Sequence, residues 1–313
     1  MSTNKNKLTV TVGIPAHNEE QNIANMLQSV LGQKGDNFIL ERVIVACDGC
    51  SDKTAEIASA ISQKNSRVEV ITDRERRGYL ARLNQLYEMK QSEIYISFDA
   101  DIVLNGPSVI EEMVKVFQED PRVCLAAAHQ IPLKPDTFIG KIIYFHHILW
   151  DEIRLAFNGG DNIHGIHGAA SGLRKSFTDT VRYPNSLTSG PGFLYIMAKK
   201  YGKFRYINKA SIFYRPVSTL KDLRIQGTRA VFNNQKKLAE YFGKWIYGLY
   251  TIPVRYKITG ILKMIWRHPV YTSLTMALGL WLRFFPKQDK LYNKGMWEIV
   301  PSTKKAINHF PNK

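Results

Sequence analysis

Ile94-Tyr95-Ile96-Ser97-Phe98-Asp99-Ala100-Asp101 is an apolar, strand-like run that delivers two carboxylates, two residues apart, to its C-terminal end. Side chains at i and i+2 of a strand share a face, and a turn at the strand end swings both toward one cation. Mg²⁺ and Mn²⁺ prefer such oxygen ligands and commonly share them with phosphates. The pair reads as a divalent-metal site facing an anionic ligand.

The elements ahead of this pair must hold it at a sheet edge. Leu8 to Ile14 is a β-branched run that ends at Pro15, and Arg42 to Ala46 and Arg67 to Thr72 read as further strands. Between them, Glu19 to Leu31 places Ile23, Met26, Leu27, Val30 and Leu31 at a helical period, and Asp52 to Lys64 and Leu80 to Lys90 read as helices. Strand and helix alternate four times in a hundred residues. That rhythm predicts an α/β fold with right-handed crossovers and a parallel sheet. Its carboxyl edge carries Pro15 to Glu19, Asp48 to Asp52, Asp73 to Gly78 and Asp99 to Asp101, where ligands of open α/β sheets bind. No G-x-G-x-x-G follows the first strand and no G-x-x-x-x-G-K-[ST] occurs, which disfavours dinucleotide and P-loop sites.

Beyond Ile102, Val109 to Gln118 reads as a helix and Val123 to His129 as a strand. Gly159 to Gly172 reads as an irregular Gly- and His-rich loop, Gly190 to Tyr201 as a helix with Pro191 in its first turn, and Phe204 to Tyr214 as a strand. Leu220 to Tyr241 reads as a basic amphipathic helix.

At 313 residues, 44% of them hydrophobic, the chain can bury a substantial core. Its 43 basic against 27 acidic residues give a net charge of +16, which attracts phosphate-rich partners: nucleic acid, an anionic membrane or a nucleotide. No nucleic-acid recognition motif accompanies the charge. From Lys199 onward Lys and Arg are plentiful, while Asp222, Glu240, Asp289 and Glu298 are the acids. Trp245 to Pro286 mixes aromatics with basic residues, and Pro269 and Pro286 bracket a segment too short for the ~20 residues of a membrane-spanning helix. That composition suits a helix lying in the membrane interface. Three cysteines give no disulfide framework, and the polar Met1 to Lys7 carries no signal peptide, so the expected setting is cytoplasmic and reducing.

Four stretches stand in order: Gly13-Ile14-Pro15-Ala16-His17-Asn18-Glu19-Glu20, Asp48-Gly49-Cys50-Ser51-Asp52-Lys53-Thr54, Arg77-Gly78-Tyr79-Leu80-Ala81-Arg82-Leu83-Asn84, and Asp99-Ala100-Asp101. Together they resemble the family 2 glycosyltransferases of GT-A fold, including membrane-associated bacterial transferases that build polysaccharides or act on lipid-linked sugars. The resemblance implies a Rossmann-like nucleotide-binding half over residues 1–101, an acceptor half over 102–218, and a C-terminal region, 219–313, of amphipathic helices that associates with a membrane. It implies a mixed, mainly parallel sheet flanked by helices. Pro15, Ala16 and Glu19 would wrap the nucleotide, with Glu19 toward the ribose. Asp48 would accept from the imide N–H of uracil, a donor that cytosine lacks. Arg77 would approach the diphosphate, Asp99 the ribose or donor sugar as well as the metal, and Asp101 would hold Mn²⁺ or Mg²⁺. Asn18 and Asp52 could equally cap the helices that follow them.

In such enzymes an acidic pair that opens a later helix supplies the general base, and a Gln-x-x-Arg-Trp motif follows. Gln226-Gly227-Thr228-Arg229-Ala230 is similar to that motif with Ala in place of Trp; Arg229 would contact the diphosphate and Gln226 the acceptor. The acidic pair falls near Ser189-Gly190-Pro191-Gly192, where no carboxylate stands. An inverting transfer needs a base for the acceptor hydroxyl. The sequence offers Asp161, His164, His167 and Asp179 for that role, or a protein that binds a nucleotide sugar with impaired or lost transfer. Trp297-Glu298-Ile299-Val300-Pro301-Ser302-Thr303-Lys304 is similar to the W-x-x-x-x-[ST]-[ST]-K tails of membrane-associated members. The implied activity is metal-dependent, inverting transfer of a hexosyl or N-acetylhexosaminyl group, from a donor expected to be UDP-linked, to a saccharide or lipid-linked acceptor. The enzyme is expected to sit peripherally at the inner face of the cell membrane.

Overall fold

A computed structural model describes residues 7–89, 91–187, 189–227, 233–284 and 300–307. Eight strands form one sheet: β1 (Leu8–Ala16), β2 (Phe38–Asp48), β3 (Val68–Asp73), β4 (Ile94–Phe98), β5 (Ile102–Leu104), β6 (Val123–Pro132), β7 (Ala170–Arg174) and β8 (Lys203–Tyr214). Their order is β3-β2-β1-β4-β7-β6-β8-β5. β1 pairs in parallel with β2 and β4, β2 with β3, and β6 with β8, while β7 runs antiparallel to β4 and β6, and β5 antiparallel to β8. The parallel strands of the first half are extended past β4 by the antiparallel β7, so the whole is the expected mixed, mainly parallel sheet. The sheet runs unbroken across residue 101.

The first half follows the hydrophobic pattern closely. α1 (Ile23–Leu31) buries Ile23, Met26, Leu27 and Val30, three or four residues apart, against β1 and β2. α2 (Thr54–Ser62) and α3 (Tyr79–Met89) complete the crossovers. β1 and β4 are buried on both faces, as central strands of a parallel sheet must be. α4 (Val109–Glu119) packs Met113, Val114 and Phe117 beneath the sheet, and α6 (Lys175–Thr180) and α7 (Pro191–Tyr201) cover its other face.

α5 (Phe138–Ala156) is a 19-residue helix in a stretch to which sequence patterning assigned no element. Thr137 caps it by accepting from Gly140 N at 3.1 Å. One side buries Ile142, Ile143, Phe145, Leu149 and Ile153. The predicted single helix from Leu220 to Tyr241 is two, α8 (Leu220–Gly227) and α9 (Asn233–Phe242). A 3-10 turn over Lys244–Tyr250 then leads to α10 (Val254–Arg267) and α11 (Pro269–Phe284), both packed on α5. Gly260 lets α10 lie close: a Cβ there would stand 2.6 Å from Ile153. Val300 to Ile307 returns to the start of α1. Among the described residues, no helix is long and apolar enough to cross a membrane.

Candidate active site

At the carboxyl edge of the sheet a cavity of about 700 Å³ opens between the β1, β2 and β4 loops on one side and α5 with the loop before β7 on the other. The first side carries Pro15, Ala16, His17, Glu19, Asp48, Arg76, Asp99 and Asp101; the second carries His147, Trp150, Asp151, Arg154, His164 and His167.

The loops after β1 and β2 are tied to one another. His17 Nδ1 meets the Asp48 carbonyl at 2.7 Å, and Glu19 N donates to Thr54 Oγ1 at 2.7 Å. Asn18 has φ 52° and does not cap α1; its Oδ1 accepts from Ser51 N at 2.9 Å. Asp52 accepts from Thr54 N at the start of α2 and, with its second oxygen, from Glu20 N. Gly49 turns the β2 loop at φ +60°, and a Cβ there would lie 2.9 Å from Arg76 N.

Asp48 is buried and its carboxylate accepts three hydrogen bonds, from Arg77 N (2.7 Å), Gly78 N (2.9 Å) and Arg82 Nε (2.8 Å). A carboxylate has about four acceptor positions, so one remains for a donor in the cavity. Arg82, wholly buried, bridges Asp48 to Asp73 and also donates to Gln85. The loop after β3 serves the site chiefly by its backbone. The Arg77 side chain pairs with Asp73 at 3.3 Å and is 56% exposed, and Arg76 is the arginine of this loop that lines the cavity. The expectation that the Arg77 guanidinium approaches the diphosphate is corrected accordingly.

Asp99 accepts from Tyr79 Oη at 2.7 Å, which fixes one of the two strand-end carboxylates. Glu19 is buried and accepts from Asn22 Nδ2 and Lys304 Nζ. Burial first, then the nearby Asp101 charge, raise its carboxyl to about 7 despite the lysine. Carboxyl groups that repel each other across a cavity form the electrostatic setting a divalent cation relieves. Among the described residues no group of three or more His, Cys, Asp or Glu forms a cage. Asp101 and Asp99 are the pair that would hold such an ion, sharing it with a ligand's phosphates as Mg²⁺ commonly does.

On the opposite side, Ser189, Pro191 and Gly192 line the cavity where α7 begins, and they bring no carboxylate. Of the sequence-derived base candidates, Asp161 accepts from Tyr206 N and Arg205 Nη1, and Asp179 pairs with Lys175 on exposed α6; neither lines the cavity. Both are set aside because their charge is satisfied elsewhere. His164 and His167 do line it. His164 Nε2 donates to the Tyr250 carbonyl at 3.1 Å, and its ring stacks on Trp150. His167 Nε2 accepts from the Arg154 guanidinium, so its ring is neutral and that nitrogen is occupied. Burial pushes both imidazoles below the usual histidine range.

Sequence patterning missed the carboxylate that does enter this side. Asp151 comes from α5, one turn after His147, with its side chain 17% exposed. Arg154 contacts Asp151 Oδ1 alone, with Nε at 2.6 Å; Oδ2 takes no hydrogen bond from the described residues. Burial raises its carboxyl above the usual carboxylate range, against the pull of Arg154. The signal was present: Thr137 as a cap, then apolar residues at helical spacing with His147, Asp151 and Arg154 on a shared face. Gln226 lies in α8 with its side chain outside the described residues, and Arg229 lies outside them altogether. Gln235 of α9 lines the cavity instead.

A β-α-β sheet whose carboxyl-edge loops ring a carboxylate-lined cavity, extended by antiparallel β7 and by β6 and β8, is the GT-A architecture. The chain belongs to the family described as glycosyl transferase family 2, whose model matches residues 11–182. Glycosyltransferase AglD of Haloferax volcanii is 30% identical over 109 residues, 34% of this chain and 17% of that one. Poly-beta-1,6-N-acetyl-D-glucosamine synthase of Staphylococcus aureus is 26% identical over 133 residues, 42% of this chain and 31% of the synthase. The matched segments thus span less than a third of either relative. Among solved structures, mannosyltransferase PcManGT from Pyrobaculum calidifontis, in complex with GDP-Man and Mn²⁺, superposes with TM-score 0.59 at 17% identity, covering 89% of this chain and 81% of that one. S. aureus TarS 1–349 in complex with UDP-GlcNAc superposes with TM-score 0.52 at 14% identity, covering 68% and 60%.

Proposed function

We propose that this protein transfers a hexosyl or N-acetylhexosaminyl group from a UDP-linked donor to a saccharide or lipid-linked acceptor, with inversion at the anomeric carbon. The observation that carries this reading is that one cavity joins Glu19, Asp48, Asp99 and Asp101 on one wall to Asp151 on the facing wall. Asp48 holds an acceptor position for the imide N–H of uracil, and Pro15 and Ala16 form the floor beneath the base. Glu19 and Asp99 face the sugars of the nucleotide. Asp101 and Asp99 would hold Mn²⁺ or Mg²⁺; when bound, the ion neutralises charge that develops on the departing diphosphate.

Asp151 takes the acceptor hydroxyl's proton on Oδ2. Arg154 keeps Oδ1 fixed, and the histidines around it hold or orient acceptor hydroxyls as neutral rings. A base on the wall opposite the donor's carboxylates suits a single displacement. It answers the absence of an acidic pair at Ser189 to Gly192.

The C-terminal region from residue 219 supports peripheral membrane binding at the cytoplasmic face. α10 buries Gly260 and Met264 against α5 and turns Val254, Ile258, Leu262 and Ile265 outward, each at least 42% exposed, with Trp266 90% exposed. Arg255 and Lys257 flank this stripe. An apolar ridge with cationic edges, directed away from the body of the protein, fits an anionic bilayer surface. The same α5 that carries Asp151 into the cavity seats α10 on its other side, which would hold the acceptor wall close to a lipid-linked substrate.

The test is release of nucleoside diphosphate from UDP-hexose and UDP-N-acetylhexosamine with Mn²⁺ or Mg²⁺, with and without saccharide and polyprenyl-linked acceptors. Acceptor-dependent release is expected. Donor binding with release at background for every acceptor rejects transfer and leaves a nucleotide-sugar-binding protein.

A further inference from the structure

Resting on the donor site proposed above, we infer that Lys304 is a diphosphate-binding residue, carried into that site by a C-terminal strap that the fold clips across the donor loops. The strap is residues 300–307. Among its described side chains Val300 and Ile307 are buried, and they anchor the ends. Its backbone is held from two sides. Asn22 Nδ2 donates to the Lys304 carbonyl at 3.3 Å, Asn22 Oδ1 accepts from Ile307 N at 3.2 Å, and Asn25 Nδ2 donates to the Ile307 carbonyl at 3.1 Å. From the end of β8, Arg215 donates to the carbonyls of Lys305 (3.2 Å) and Ala306 (2.7 Å), and Ser218 N donates to Ser302 Oγ at 3.3 Å. A segment held by this many backbone contacts presents its one inward cation at a fixed place.

That place is the donor side of the cavity. Lys304 Nζ pairs with Glu19 and donates to the His17 carbonyl at 3.2 Å, and the residue lines the cavity with Asp48 and Asp101. An ammonium has three N–H donors, and two are engaged here, so the third is available to a ligand oxygen. The wall it joins is acidic, and a diphosphate entering it needs positive charge. Arg76 reaches this wall from the loop after β3, Arg82 is committed to Asp48 and Asp73, and Arg215 to strap carbonyls. Lys304 instead stands beside the carboxylates that face the donor, on a pair that an arriving phosphate oxygen can share. A lysine acts here as a compact point charge, which suits a diphosphate whose orientation the base and the carboxylate-held ion already set.

The experiment compares UDP with uridine, which differ by the diphosphate. Affinities of both are measured by ligand-observed NMR titration on the full chain, as wild type, Lys304→Met and Lys304→Arg, at fixed Mg²⁺. Lys304→Met is expected to weaken UDP by about tenfold to a hundredfold, the range of one charge-assisted hydrogen bond, and to change uridine by less than about twofold. Lys304→Arg is expected to restore most of the UDP affinity. Equal weakening of UDP and uridine by Lys304→Met would assign the lysine to holding the strap and overturn the inference. Unchanged UDP affinity would overturn it as well, reducing Lys304 to a partner of Glu19. If wild type binds neither ligand, the donor reading itself falls; if wild type binds UDP and only the variants fail to discriminate, the donor reading stands and this inference alone is lost.

Discussion

Asp151→Asn exchanges the acceptor-side carboxylate for an amide of nearly the same shape, whose oxygen can still accept from Arg154 Nε, 2.6 Å away in the wild type. Cutting Asp151 back to an apolar residue would strand the Arg154 charge, 4% exposed, and breaking such a buried pair costs about 3–5 kcal/mol. The amide avoids most of that loss, so the variant is expected to fold and to bind UDP as wild type does. What it removes is the proton acceptor. General-base catalysis contributes about 10²–10⁴-fold, which at 1.36 kcal/mol per decade is about 2.7–5.4 kcal/mol of barrier. The expected outcome is a fall in kcat of that size with donor KM unchanged within about threefold. The pH profile provides a second readout. Burial raises the Asp151 carboxyl, and a base works deprotonated, so wild-type kcat should fall on the acid side at a pH above the usual carboxylate range. That limb should vanish in Asp151→Asn. Transfer is followed as labelled product from the UDP-sugar and the best acceptor, with nucleotide binding and thermal unfolding measured in parallel. A kcat within about threefold of wild type, or an acid limb that persists unchanged, would refute the assignment and return the role to His164 or His167.

Asp101→Asn should abolish the metal dependence of UDP binding while leaving the unfolding midpoint within a few degrees; binding that still responds to Mn²⁺ removes Asp101 from the metal site. Leu262→Glu on α10 should release the protein from vesicles containing anionic lipid without changing UDP affinity, as checked by co-sedimentation; retention on the vesicles removes the α10 stripe as the membrane face. His146 and His147 are half-buried on α5, and desolvation of their rings lowers the imidazoles from 6.5 to about 4 and about 3. For a base whose folded pKa is depressed, stability is full above the unfolded value near 6.5 and is lost as pH falls, because the unfolded chain takes the proton first. The loss by pH 5 is about 2 kcal/mol for each, or about 4 kcal/mol together. Urea titrations at pH 7 and pH 5 measure it, and His147→Asn should shrink the difference by about 2 kcal/mol. Equal stability at the two pH values counts against neutral histidines with desolvated rings.

The first hundred residues were legible because their information is local. A β-branched run, a helical period and a polar loop repeat within about thirty residues, and each loop must leave the sheet at the same edge because the strands run parallel. Pro15 to Glu19, Asp48 and Asp99 to Asp101 therefore converge whatever the rest of the chain does, and their types already pointed to a nucleotide and a divalent ion. Finer placement was not local. Arg77 and Arg76 are neighbours in a loop, and Asp73 and Asp48 decide which of the two faces the cavity.

Tertiary packing decided the acceptor wall and the strap. α5 is amphipathic in sequence, but which side meets α10 and α11 and which side meets the cavity depends on elements more than a hundred residues later. That choice brings Asp151 inward and leaves Asp161 and Asp179 on Arg205 and Lys175. Lys304 is the extreme case, 285 positions along the chain from Glu19. Sequence by itself determined that carboxylates gather at one sheet edge. Only the folded chain could determine which distant cation and which distant acid join them there, because those neighbours are chosen by surfaces that exist only after the sheet has formed.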